Sequence, residues 1–250
     1  MDWGLRGAEE IIHDADDAVI VDVLSFTTAV SVAVDQGANL FPYPWRDESA
    51  EVFARRHGAV LAVGRSEAAA ANDRGTRDHP LVSLSPASIR AAPGIDRIVL
   101  PSPNGSALAA AIAGSGCRIV AACLRNRTAV ASWLTGHGRD PHHSPVIAVV
   151  AAGERWPDGT LRPAVEDLWG AGAVIAALEG LGMVGVSREA RAAAAAWHVI
   201  ETAPSAALVD CASGVELIDA GFSADVAIAA EVDASVAVPL LNGDRFSAST

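Results

Sequence analysis

Three sets of residues carry types and spacings that chemistry could use. In VIVDVLSFTTAVSVAVDQGA, residues 19–38, one carboxylate, Asp22, stands inside an apolar run and is followed by Ser25, Thr27 and Thr28. Burying an unpaired carboxylate costs roughly several kcal/mol, so Asp22 needs a cation, a metal ion or backbone donors. In PSPNGS, residues 101–106, Asn104 and Gly105 suit a tight turn, and Ser102 and Ser106 offer hydroxyls where helix amides would face an anion. That stretch reads either as an anion cradle or as an ordinary strand-to-helix turn. Glu166 and Asp167 follow Pro163 by three and four residues, in what reads as the first turn of a helix. They either complement the helix dipole or join Asp22. Three carboxylates with serine, threonine and asparagine oxygens suit magnesium, which needs only one or two of them beside water and a substrate phosphate.

The elements that must position these residues repeat one grammar four times: a short β-rich run, a polar loop, then an apolar segment of helical length. The units are residues 18–36 with Gly37 as C-cap, 97–116, 118–134 with Thr128 as helix cap, and 146–180 with Pro163 at the helix start. Strands alternating with helices predict an α/β fold of three layers around a mainly parallel sheet. Ligands of such sheets bind beyond the carboxyl ends of the strands, which places all four loops on one edge. Residues 61–86 read as a strand dissolving into a loop. Residues 188–201 and 206–220 read as helices, and 221–239 as strands or an extended closing segment. The 250 residues fit one domain, with room for two lobes.

Composition narrows the function. A net charge of −12 argues against a nucleic-acid surface or an anionic membrane partner. No apolar run reaches the ~18 residues of a membrane helix and the N-terminus is not a signal peptide, so a cytoplasmic protein is expected. The three cysteines show no CxxC spacing and read as reduced thiols. All eighteen basic residues are arginine, so an anion held by a basic side chain meets a guanidinium fork. His137, His142 and His143 read as solvated loop residues, and Asp14, Asp16 and Asp17 as a solvated turn before the first strand. GxSxG, GxGxxG and a thiol-phosphatase cysteine are absent, leaving an acidic, metal-assisted site handling an anion.

The motifs together resemble the 2-phosphosulfolactate phosphatase family. VDVLSFTT resembles its DVLRATT-type motif and PSPNGS its TTNGT-type motif. The similarity continues through LRNRTAV, VVAAGE…EDLWGAGAVI and CASGVELIDAGFSADV…VP, from about Val19 to Pro239. The resemblance implies that family's α/β fold and a magnesium-dependent phosphatase hydrolysing 2-phospho-3-sulfolactate in coenzyme M biosynthesis. Its partner would be a small phosphorylated organic acid, with neither nucleic acid nor membrane, and a homodimer is allowed. Carried across, Asp22, Asn104, Asn126, Glu166 and Asp167 match the family's polar positions. We expect Asp22, Asn104 and Asn126 in catalysis, and Asp22, Glu166 and Asp167 on the metal. Ser25, Thr27, Thr28, Ser102, Gly105 and Ser106 would bind substrate, with Arg65, Arg125 or Arg155 on its second anion.

Three departures stand out. Ser25-Phe26 replaces the arginine expected in the first motif. Gly64-Arg65-Ser66 replaces a Gly-Glu-Arg, where Arg65 or Glu67 could compensate. SLSP, residues 83–86, stands for a GNSP-like element. These changes point to the same fold on another C3 phospho acid, or to a small-anion binder without catalysis, as the alternatives.

Overall fold

The four strand-loop-helix units are present in the computed structural model, which describes residues 1–44, 47–73, 81–136 and 145–249. The strands are β1 (Asp2–Trp3), β2 (Asp17–Val21), β3 (Asn39–Tyr43), β4 (Val60–Leu61), β5 (Arg97–Pro101), β6 (Arg118–Ala122), β7 (Ile147–Ala151), β8 (Glu154–Arg155), β9 (Leu161–Arg162), β10 (Pro239–Asn242) and β11 (Arg245–Ala248). Nine of them form one sheet in the order β1-β7-β2-β6-β10-β11-β3-β5-β4, and β8 pairs with β9 as a separate ribbon. Every residue of β2 is buried, because Ala18 and Ile20 enter one core while Val19 and Val21 enter another. A strand covered on both faces reads as a continuous apolar run. The helices Gly4–Ile11, Phe26–Asp35 and Gly105–Ile112 supply the first core. Arg127–Gly136, Val165–Gly180 and Arg188–Ile200 supply the second. This is the three-layer α/β arrangement.

The sheet is mostly parallel but not uniformly so. Strands β1, β7, β2 and β6 run parallel to one another, as do β3, β5 and β4. Between the two blocks lie three antiparallel pairings, β6 to β10, β10 to β11 and β11 to β3. Three reversals give the blocks opposite senses, so the single carboxyl edge expected from the sequence does not exist. Twist offsets the reversal. At about 20–25° per step, the five steps from β2 to β5 accumulate over about 100°, turning the end of β5 back toward the end of β2.

Local departures have local causes. Residues 65–73 are helical rather than a loop, in keeping with the helix propensity of their alanine run. The helix expected over 206–220 is two, Pro204–Asp210 and Ala212–Asp219, because Cys211 is extended and its sulfur accepts the Gly214 amide as an N-cap. Residues 223–229 are helical, not extended. Thr128 does not cap its helix, which begins at Arg127, and its amide donates to Asp233 instead. Asp17 pairs with Arg118 at the amino end of β2, and Asp16 receives the Val146 amide, away from the loops of interest. His137, His142 and His143 lie outside the described residues. Among the described residues no helix is long and apolar enough to cross a membrane.

Candidate active site

Asp22 follows β2 directly, and its bonding answers the question its sequence raises. One carboxylate oxygen accepts the Phe26 amide at 3.0 Å and the other the Gly105 amide at 3.0 Å. The second bond crosses from the first unit to PSPNGS and fastens the two loops together. Only glycine fits at 105, since a Cβ there would lie 2.3 Å from the Phe26 ring. Two amides do not cancel burial, however. Desolvation, reinforced by the nearby Glu166 carboxylate, pushes Asp22 up to about 6 despite those amides and the Arg65 charge.

Helix 165–180 delivers the next carboxylates. It seats on the end of β2 through Gly170, where a Cβ would come within 2.5 Å of Val23 and 2.7 Å of Val21. One turn earlier, Asp167 accepts the Val23 amide at 2.7 Å and the Gly153 amide at 2.8 Å. It thus ties the loop after β2 to the loop after β7. Burial, then the charges of Asp22 and Glu166, hold it well above the ordinary carboxylate range. Glu166 is equally buried, yet among the described residues no amide or cation hydrogen-bonds to it. Its neighbour is the Cys211 thiol, which burial and the Glu166 charge push up to about 12. That thiol is inert at neutral pH.

A fourth carboxylate comes from the β8–β9 ribbon. Glu154 accepts Asn104 Nδ2 at 2.8 Å. Burial, then the charges of Asp22 and Glu166, push it up to about 7, against the lowering effects of Asn104 and Arg162. Glu154 was not singled out from sequence, although it lies two residues beyond Ala152, at the carboxyl end of β7. That position was the available signal.

The cation of the site is Arg65. Its Nη2 donates to Ser25 Oγ and its Nε to Asp225 at 3.1 Å. Asp225 is buried and also accepts Ser85 Oγ at 2.5 Å and the Ala87 amide at 3.2 Å. Two departures from the family pattern, at residues 64–66 and 83–86, therefore meet at one buried aspartate. Asp225 lies in GFSADV, a stretch that carries the family resemblance, but it was not singled out from sequence. Glu67, on the same helix as Arg65, is exposed.

The buried carboxylates thus gather beyond the strand ends with Arg65 beside Asp22 and Arg162 near Glu154. The profile of the 2-phosphosulpholactate phosphatase family matches residues 7–244. The chain belongs to that family. It is therefore a phosphatase, a phosphoric monoester hydrolase. A protein of Deinococcus radiodurans named as a probable 2-phosphosulfolactate phosphatase is 29% identical over 242 residues, covering 94% of this chain and 92% of that one.

Within this member of the 2-phosphosulpholactate phosphatase family, the residues expected from sequence divide in two. Asp22, Asn104, Glu166, Asp167, Ser25 and Arg65 come together with Glu154. Others have structural partners. Thr27 Oγ1 both accepts from and donates to the Asp22 backbone, and Thr28 Oγ1 donates to Val23 O at 2.8 Å. Ser106 Oγ donates to Leu100 O at 2.7 Å, and the Gly105 amide belongs to Asp22, so neither is directed at an anion. Ser102 is buried in the same turn, and its hydroxyl makes no hydrogen bond among the described residues. Asn126 caps its own turn, accepting the Cys123 amide and donating to Ala121 O and Ala237 O. Arg125 is committed to Asp35 at 2.9 Å and to Glu231. Arg155 donates to Pro103 O and Gly159 O at the mouth of a cavity beside Glu154.

Proposed function

We propose that this cleft is a magnesium-dependent phosphatase site for 2-phospho-3-sulfolactate or a similar small phosphorylated hydroxy acid, released as hydroxy acid and phosphate. A single observation carries the reading: Glu166, Asp22 and Glu154 crowd one another out of water while Arg65 stands beside them. Among the described residues no three His, Cys, Asp or Glu side chains form a ready-made metal cage. Magnesium needs only one or two carboxylates and completes its shell with water and phosphate oxygens. Asp167, with an amide on each oxygen, positions the loops. Glu166, without hydrogen-bond donors from amides or cations, and Asp22, with lone pairs left beyond its amides, are the oxygens that would hold the metal. When bound, magnesium supplies a Lewis acid that offsets phosphate charge and lowers the pKa of water.

The chain's own residues do the rest. Arg65, held by Asp225 and Ser25, presents its remaining N–H groups to phosphate oxygens. It stands at Ser25, close to where the family's first motif carries its arginine, and so restores a guanidinium from a different element. As water adds to phosphorus and the ester P–O bond breaks, the departing alkoxide needs a proton. Glu154, protonated in good part at neutral pH and fixed by Asn104, holds one. The changed residues around Arg65 favour a second reading, the same chemistry on another C3 phospho acid. Phosphate release from a panel of phosphorylated C3 acids, with magnesium and with EDTA, tests both. Release that needs magnesium is expected. No release from any member, or equal rates in EDTA, would refute the proposal.

A further inference from the structure

We propose that the β8–β9 ribbon forms a second binding site, for a substrate arm in which a distal acid group is carried on a short hydrocarbon chain. The inference rests on the phosphatase reading and names the substrate class more narrowly. A cavity of about 210 Å³ lies between the ribbon, residues 3–6 and helix 105–112. Asn104 and Glu154 form one wall, and the same pair faces the carboxylate cleft. The opposite walls are apolar: Trp3, Leu5, Leu108 and Leu161.

The ribbon is fixed in place. Leu161 lies over Gly4 and Gly153, where an added Cβ would come 3.2 Å and 2.7 Å from Leu161 Cδ1. Both glycines have positive φ, 59° and 69°, a conformation that other residues rarely adopt. Arg162 holds the second strand to Glu216 through two bonds of 2.8 and 3.0 Å.

Arg155 gives the cavity its charge. Its Nε and Nη2 donate to Pro103 O at 3.3 and 3.1 Å, and Nη1 to Gly159 O at 3.2 Å. Carbonyls orient a guanidinium without neutralising it, and among the described residues no carboxylate pairs with Arg155. Of five N–H donors, about two remain for a ligand. Arg6 also borders the cavity but pairs with Glu9 and Glu10 on its own helix. The cavity has room for a short hydrocarbon segment and one acid group. An apolar wall ending in a guanidinium selects that combination over a uniformly polar arm.

The test compares phosphate release from 2-phosphooxyhexanedioate and 2-phosphooxyhexanoate, esters with equal arms ending in carboxylate or methyl. Wild type should favour the diacid, and Arg155→Ala should reduce that ratio about ten- to a hundredfold, the loss of a charge-assisted hydrogen bond. Leu5→Trp, which fills the cavity from an exposed position, should cut kcat/KM for both long arms against phospholactate by about tenfold. Calorimetric titration with 2-hydroxyhexanedioate reads binding without catalysis and should show the same dependence on Arg155. If that phosphate-free hydroxy diacid binds through Arg155 while no ester releases phosphate, the pocket stands and the phosphatase reading fails. If phosphate is released but neither ratio nor binding responds to Arg155, the pocket is overturned. Absence of both binding and preference overturns it equally.

Discussion

Replacing Glu154 by glutamine should make the protein more stable and less active, with a pH dependence that follows from the site. The carboxyl rises from its ordinary 4.5 to about 7 in the folded chain, chiefly through burial and the charge of Asp22. At about 1.36 kcal/mol for each pH unit, ionised Glu154 costs the folded state about 3 kcal/mol. The sign is fixed by the direction of the shift. Above about pH 7 the folded protein carries the full cost; as pH falls through 7 the carboxyl protonates and the cost recedes. Below about 4.5 the group is neutral in both states and the cost is gone. Glutamine has no charge at any pH and keeps an oxygen for Asn104. In EDTA, Glu154→Gln should therefore gain about 3 kcal/mol at pH 8 and almost nothing at pH 4.5. For a chain of this length the melting temperature should rise about 6–12 °C at pH 8. Phosphate release should fall, because the proton held for the leaving alkoxide is lost. Urea unfolding at the two pH values decides it. A gain that is the same at both, or a loss at pH 8, would refute the electrostatic account of the cluster.

Gly105→Ala should destabilise the chain by about 1–3 kcal/mol and lower activity together, since its Cβ would meet the Phe26 ring and move the amide from Asp22; thermal unfolding and phosphate release measure both. Arg65→Ala should raise KM about ten- to a hundredfold for doubly anionic phospho acids and for a simple phosphomonoester alike, since its free N–H groups face the phosphate common to both; a loss confined to the doubly anionic substrates would assign Arg65 to the second acid group instead. Asp22→Asn should cost at least about a hundredfold in rate and far less in stability, and EDTA should abolish wild-type activity; a fully active variant would show that Asp22 serves only the loops.

Much of the site was legible because its carboxylates sit at strand ends and helix starts, which periodicity locates. Asp22 and Glu166 were found that way, and Glu154 could have been, by counting from the end of β7. What sequence could not supply was direction. Asn126 matches a family position and Arg125 was a candidate for the second anion, yet one caps a turn and the other reaches Asp35 and Glu231. Asp225 became visible only when a helix from the far end of the sequence packed against Arg65. The sheet shows the same division: four strand-helix units could be read off, but the reversal between two blocks depends on β10 and β11, which begin where the closing segment read from local pattern stops.

That late hairpin has a consequence for how the chain is made. β10 and β11 join the edges of β6 and β3, and they follow every other strand of the sheet in synthesis. Until they emerge, a nascent chain holds two half-sheets, each with an open edge able to pair with a neighbour. Translation adds about 5–20 residues per second, so the roughly 120 residues from β6 to the hairpin leave β6 uncapped for about 6–24 seconds. Co-translational assembly can settle each half, but closure of the sheet, and with it the approach of β5 to β2, is a late event governed by distant contacts. Quality control on the ribosome would therefore meet this protein as two unfinished halves, and its final strands act as the fastener between them.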